Sequence, residues 1–151
     1  GGDNLKPNLL GMEIVGTANA LRRMTFHTGY DERFAEDSPT NMQQWFLAYI
    51  WEQGPDQNVY QKDIEERFQV RRSTATEILK AMERKALIVR IPIPEDKRKK
   101  KILLTEKALA ICQENQAKIE RTEQQIIRGL SNDEIASFLR VLKKIQNNIT
   151  D

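Results

Sequence analysis

The hydrophobic period of the sequence changes abruptly at Leu87, and this change restricts the fold more than any other feature. Before it, apolar residues recur at intervals of three and four, as on one face of an α-helix: Ala75, Ile78, Leu79 and Met82. From Leu87 five β-favouring residues follow, and Pro92 and Pro94 then argue against a central strand. Because residues 100–104 offer a return strand, the intervening residues 92–99 predict an exposed β-hairpin loop, too long for a two-residue turn.

A short helix precedes the helix that ends before Leu87. Ile64 and Phe68 lie on one side of residues 61–68, and a three-residue break separates this segment from a helix that begins near Arg72 or Ser73. A short helix, a tight turn and a longer helix form the helix-turn-helix arrangement. A hairpin follows this arrangement, so the sequence predicts one compact lobe over residues 40–104. Within it, residues 87–104 form the wing, which is the hairpin that follows the second helix.

Helices are predicted on both sides of this unit. Residues 9–34 carry apolar positions at helical spacing, and Thr40 caps a helix that Gly54 and Pro55 end. Thr105 caps a long helix through residue 128, and Ser131 with Glu134 forms a capping box for the last helix, which has a nearly continuous apolar face. The sequence therefore predicts one mostly α-helical chain over residues 1–151 with a small β-hairpin.

Charge is segregated along the chain. Residues 60–105 hold 13 Lys and Arg against 7 Asp and Glu, whereas the remainder holds 11 against 15. A local excess of cations indicates an anionic partner for the middle of the chain, with nucleic acid the leading candidate. Five consecutive cations, residues 97–101, lie on or beside the hairpin, although a lysine run is also compatible with a plain solvated loop.

The second helix of the helix-turn-helix has groups suited to a DNA major groove, where base edges are distinguishable. The outward-facing candidates are Ser73, Thr74, Thr76, Glu77 and Lys80. Arg71 and Arg72, at the helix entry, are candidates for phosphates or a guanine edge. In the hairpin, Lys97, Arg98 and Lys99 are candidates for phosphates, with Arg98 also suited to the minor groove.

Other kinds of site have little support in the sequence. The chain has one His and one Cys far apart, so no metal-ligand cluster is expected, and it has no glycine-rich phosphate loop or nucleophile motif. No enzyme activity and no cofactor are therefore predicted. Cys112 falls in an apolar stripe and is interpreted as a small hydrophobic residue rather than an oxidant sensor. Without a signal segment or a long apolar run, the expected compartment is the cytoplasm.

Residues 75–90 and the pattern Asp96-Lys97-Arg98 followed by Leu104-Thr105 resemble the MarR-type winged helix-turn-helix transcription regulators. The resemblance implies a homodimeric DNA-binding regulator, acting as a repressor, with 9–34 and 105–150 as dimerisation helices. It places the two recognition helices in successive major grooves and each Arg98 in a minor groove, with Asp96 holding the arginine. The operator is then pseudo-palindromic, with half-site centres about 10 bp apart.

Three positions depart from the family pattern. Ala86 and Ala108 stand where the family usually has Gly, and a left-handed Ala86 would cost roughly 1–2 kcal/mol. Tyr60 stands where the family often has a small capping residue, so the start of the short helix is open.

The resemblance also implies a small aromatic effector. Phe26, His27, Trp45 and Tyr49 are the candidates to line its pocket, although aromatics at helical spacing also suit a plain core. A second interpretation of the whole chain is a winged helix that binds an acidic protein partner through its basic hairpin, because fold alone does not determine function.

Overall fold

The computed structural model describes residues 9–24 and 39–150, and within them the chain forms six helices and one two-stranded antiparallel sheet. The elements in order are α1 Leu9–Met24, α2 Asn41–Gln53, α3 Gln61–Phe68, α4 Arg72–Arg84, β1 Ile88–Ile93, β2 Asp96–Leu104, α5 Glu106–Ile126 and α6 Asn132–Ile149. This confirms the predicted mostly helical class with a β-hairpin. The predicted first helix continued to residue 34, and its residues 25–34 lie outside the described part of the chain.

Capping interactions within four residues set the starts of α2 and α6. The Gln43 backbone N–H donates to Thr40 Oγ1 at 3.3 Å, and Gln43 Oε1 accepts from the Thr40 N–H at 3.0 Å. Ser131 and Glu134 make the same reciprocal pair at 3.1 and 2.9 Å. Each pair satisfies two backbone donors that a helix start otherwise leaves unpaired, so both predicted starts are confirmed.

The hairpin is longer and its turn tighter than predicted. Ile93 pairs with Asp96, which leaves two residues, 94 and 95, as the turn, so the predicted long loop over 92–99 is wrong. Pro92 is tolerated because β1 is an edge strand and its missing N–H is not needed for pairing. A register shift lies between Pro92, which pairs with Lys100, and Ile93, so residues 97–99 form an irregular segment near the hairpin tip.

The chain divides after residue 115 into two compact units. In the first, helices α2 to α4, the hairpin and the start of α5 share one hydrophobic core. Its largest fully buried side chains are Phe46, Leu47, Ile64, Leu79, Met82, Leu87, Ile88 and Ile102. Among the helices of residues 9–24 and 39–150, none combines the length and apolar character needed to cross a membrane.

The second unit holds the end of α5, a turn at Gly129 and α6. No residue of α6 is buried, although the helix is strongly amphipathic. Phe138 and Leu139 are 60% and 59% exposed, so these two side chains of its apolar face are largely open to solvent.

A tight turn joins α4 to β1. Ala86 adopts a positive φ of 57°, the left-handed conformation that is costly for alanine. The Leu87 N–H donates to the Met82 carbonyl at 2.9 Å, and the Thr105 hydroxyl donates to the Ala86 carbonyl at 2.6 Å. The end of α4 is thus held by the residue that precedes α5, which places the wing directly after the helix.

Candidate nucleic-acid interface

Helix α4 is anchored by one face and presents the other to solvent. Ala75, Leu79 and Met82 are fully buried. The opposite side carries six exposed predicted contact residues: Arg71, Arg72, Ser73, Thr74, Glu77 and Lys80. They are polar or charged, so this face offers both donors and acceptors to a partner. Their individual roles in DNA binding stay predictions.

Thr76 differs from the other predicted contact residues of α4. Its side chain is half-buried, and Oγ1 accepts a hydrogen bond from Gln61 Nε2 at 2.8 Å. The hydroxyl oxygen is therefore engaged within the protein before any ligand is present. Thr76 lies at the border of the exposed face rather than in its middle.

The wing presents its cations at the far end of the hairpin. Lys97, Arg98 and Lys99 are exposed, and the Arg98 side chain keeps 97% of its accessible surface. Asp96 Oδ1 accepts from the Arg98 backbone N–H at 3.0 Å and lies 3.8 Å from Arg98 Nε. This contact restrains the backbone at Arg98 while leaving its guanidinium open to a phosphate or groove.

Lys99 is directed towards α3 rather than away from the lobe. Its Nζ lies 5.5 Å from the centroid of the Tyr60 ring, within range of a cation–π interaction. Tyr60 is the N-cap of α3, whose start is confirmed at Gln61; the Tyr60 N–H donates to Asp63 Oδ2 at 2.9 Å. The aromatic side chain at this position thus presents its ring face to a cation of the wing.

Three residues near the site were missed by sequence reasoning: Gln61, Glu83 and Arg90. Arg90 Nε donates to Glu83 Oε1 at 2.8 Å, and Arg90 Nη1 donates to Gln61 Oε1 at 3.3 Å. Gln61 is 29 positions from Arg90, and no local pattern connects residues so far apart. The one signal in the sequence is the opposite charge of Glu83 and Arg90, which lie close to the α4–β1 junction and can form an ion pair.

The proposed effector residues fall in two groups. Phe26 and His27 lie outside the described residues. Trp45 and Tyr49 are half-buried on α2, where the Tyr49 ring meets Phe68 edge-on with centroids 5.9 Å apart, and burial raises the pKa of the Tyr49 hydroxyl. Tyr49 thus packs as part of the layer around the core, and an effector pocket stays a prediction.

Cys112 is buried against the same core, with its Sγ 4.0 Å from the Leu47 carbonyl oxygen. Burial raises the pKa of its thiol to about 11. A protonated thiol is a poor nucleophile, which supports the interpretation of Cys112 as a packing residue. Across residues 9–24 and 39–150, no three His, Cys, Asp or Glu residues gather as a metal site would require.

Comparison with known proteins agrees with this geometry. Residues 40–100, from the cap of α2 to the wing, match the model of the MarR family. The crystal structure of the transcription regulator MarR from Oenococcus oeni PSU-1 is 25% identical, with a TM-score of 0.77 over 91% of this chain and 98% of that chain.

Two further structures share the fold at lower identity. A MarR-family regulator from Listeria monocytogenes complexed with 26mer DNA is 23% identical, with a TM-score of 0.71, covering 93% of this chain and 88% of that one. The PcaV transcriptional regulator from Streptomyces coelicolor, in complex with its natural ligand, is 20% identical, with a TM-score of 0.66, covering 95% and 93%. The winged helix-turn-helix class is therefore confirmed.

Proposed function

We propose that this chain, whose residues 40–100 match the model of the MarR family, is a transcription repressor that binds a specific double-stranded DNA operator as a homodimer. The observation that carries the proposal is the joint exposure of the polar face of α4 and the wing cations on one lobe. A protein-binding winged helix needs only the basic wing, whereas a DNA reader needs both.

Helix α4 has the size of a recognition helix. Its 13 residues span about 20 Å at 1.5 Å per residue, enough to lie along a major groove. Glu77 and Lys80 are one turn apart on the exposed face, where a carboxylate accepts from cytosine N4 and an ammonium donates to guanine. Base recognition is accordingly assigned to this face.

The wing supplies affinity that does not depend on base sequence. Exposed lysine and arginine side chains release counterions when they meet phosphates, which makes binding sensitive to salt. Arg98, almost fully exposed on a restrained backbone, is also the side chain suited to a narrow minor groove. The wing therefore positions the lobe while α4 reads the sequence.

The proposed homodimer explains the uncovered apolar surface. Besides Phe138 and Leu139 on α6, helix α1 exposes Leu10, Met12 and Val15 by 59%, 69% and 60%. Amphipathic helices of a stable protein bury their apolar side, and a second copy of the same chain is the partner that the family resemblance implies. Two-fold symmetry of the dimer then demands a pseudo-palindromic operator.

Selection from a random duplex library at about 0.15 M salt, where weak surface attraction is screened, tests the proposal. Enrichment of a two-fold symmetric motif is expected. If a folded dimer enriches no motif, sequence-specific binding is wrong, and capture of acidic proteins by the basic wing becomes the better explanation.

The effector stays a subsidiary part of the proposal. The PcaV structure contains a natural ligand, and half-buried Trp45 and Tyr49 on α2 offer aromatic surface for a comparable compound. Isothermal titration with a panel of aromatic acids should give heat for at least one member. Absence of heat across the panel would remove this class of effector.

A further inference from the structure

Three consecutive residues before and at the start of α3 contact the wing. The Val59 carbonyl accepts from the Ile102 N–H at 2.7 Å, and Lys99 lies over the Tyr60 ring. Gln61 Oε1 accepts from Arg90 Nη1 at 3.3 Å. Both wing strands are thus attached to this one short segment of the helix-turn-helix.

The Gln61 amide also contacts the opposite side, the recognition helix. Its Nε2 donates to Thr76 Oγ1 at 2.8 Å and lies 3.4 Å from the Arg72 carbonyl. A guanidinium only donates and a carbonyl only accepts, so the amide oxygen must face Arg90 and the amide nitrogen must face α4. One side chain therefore bridges β1 and the first two turns of α4 in a single orientation.

A second link joins the same two elements at the other end of α4. Arg90 forms an ion pair with Glu83, in the last turns of the helix. The Arg90 side chain is 19% exposed and that of Glu83 38%, so water screens the pair only in part. With Gln61 near the start of α4 and Glu83 near its end, Arg90 holds the helix to the wing at two separate points.

We propose that Gln61 is a positioning residue for operator recognition, which sets α4 relative to the wing and orients the Thr76 hydroxyl. The inference rests on the proposed DNA-binding function. A threonine hydroxyl has one proton and two acceptor lone pairs, so with one lone pair occupied by Gln61, Oγ1 keeps its proton and a second lone pair for a ligand. The bond from Gln61 therefore restricts the directions in which the Thr76 hydroxyl can meet a base edge.

The test measures affinity of Gln61→Ala for the selected operator and for an unrelated duplex at several salt concentrations. Loss of these hydrogen bonds should weaken operator binding about fivefold to tenfold. Affinity for the unrelated duplex and the salt slope should stay unchanged, because no cation is removed. Gln57→Ala, at an exposed glutamine in the preceding turn, is the matched control and should alter neither.

Gln61→Glu separates the two halves of the bridge. It keeps an acceptor for Arg90 but removes the donor to Thr76, so it should lose operator preference while retaining the wing contact. Since the glutamate strengthens the pairing with Arg90, this variant should melt close to the wild-type temperature even if Gln61→Ala unfolds. Wild-type operator preference in a folded Gln61→Glu protein would overturn the orientation of Thr76.

A double-mutant cycle distinguishes positioning from direct contact. If Gln61 acts through Thr76, Gln61→Ala should weaken operator binding little further in a Thr76→Val background. Additive effects of the two substitutions would show that Gln61 acts independently of Thr76 and would overturn its role in orienting the Thr76 hydroxyl. A wild-type protein without any preferred operator would instead refute the proposed function, whereas a selective wild type with an equally selective Gln61→Ala refutes only the positioning role.

Discussion

Replacing Ala86 and Ala108 by glycine, the residue usual in the family at both positions, should change stability in opposite directions. Ala86 is exposed and has a φ of 57°, so glycine removes a left-handed strain of roughly 1–2 kcal/mol without losing burial. Glycine also makes the unfolded chain more flexible, which costs roughly 0.5–1 kcal/mol. Ala86→Gly should therefore stabilise the protein by about 0.5–1 kcal/mol.

Ala108 is fully buried within α5, where no unusual backbone conformation favours glycine. Ala108 is the third residue of α5, where glycine costs up to the value of about 1 kcal/mol that it costs relative to alanine in a helix interior. Removal of the buried methyl group adds about 0.8 kcal/mol. Ala108→Gly should therefore destabilise the protein by about 1–2 kcal/mol.

Urea unfolding at one fixed protein concentration measures both effects, since the stability of the proposed dimer depends on concentration. Ala110→Gly, on the exposed side of the same helix, is the control: it should cost only the helix-propensity part, about 1 kcal/mol. If Ala86→Gly lowers the free energy of unfolding as much as Ala110→Gly does, the assignment of strain to Ala86 is refuted.

Four other substitutions or treatments test separate features. Arg98→Ala should reduce the slope of log Kd against log salt concentration by about 0.9 for each phosphate that the protein no longer neutralises. The control Lys143→Ala, at an exposed position of α6, should leave this slope unchanged. Equal slopes for Arg98→Ala and wild type would contradict a phosphate contact of Arg98. Phe138→Glu should yield monomers in light scattering, whereas Arg140→Glu, at an exposed polar position of α6, keeps the dimer; a dimeric Phe138→Glu would exclude α6 from the interface. Burial raises the pKa of Cys112 to about 11, so alkylation of its thiol in the folded protein should be slow at neutral pH and faster as the pH approaches that pKa. Mass spectrometry follows the reaction, and rapid labelling at neutral pH would contradict the burial of Cys112. Hydrogen bonds from Ser131 lower the pKa of Glu134, so this carboxylate stabilises the fold above its unfolded-state pKa, and the contribution disappears as pH falls through the folded-state pKa. The difference in the free energy of unfolding between wild type and Glu134→Gln should therefore vanish in acid. A difference that does not change with pH would refute the charge dependence of this helix cap.

Local features of the fold were predictable because their determinants lie within a few residues. The Thr40 and Ser131 caps each involve a partner three positions away, and the buried face of α4 follows from its apolar spacing. The hairpin turn was not predictable in the same way. Prolines argued for a long loop, but the outer side of an edge strand tolerates Pro92, and that property depends on which strands are neighbours in the sheet.

The same distinction between local features and contacts across the fold applies to the candidate site. Periodicity distinguishes the side of α4 that faces the core from the side that faces solvent, and Ser73, Thr74 and Lys80 are exposed accordingly. It cannot distinguish a free polar group from one already bound inside the protein. Thr76 is of the second kind, because Gln61 reaches it from 15 positions away.

Contacts between elements therefore determine which side chains of the exposed face are available to DNA. Glu77 and Lys80 are exposed on the open face, so on the proposed function their side chains can change orientation to suit a base. Thr76 is held by Gln61, which Arg90 holds in turn, so on the proposed function its side chain is already ordered and loses little freedom when DNA binds. Discrimination should accordingly be sharpest at the base pair that faces Thr76 and looser at those that face Glu77 and Lys80.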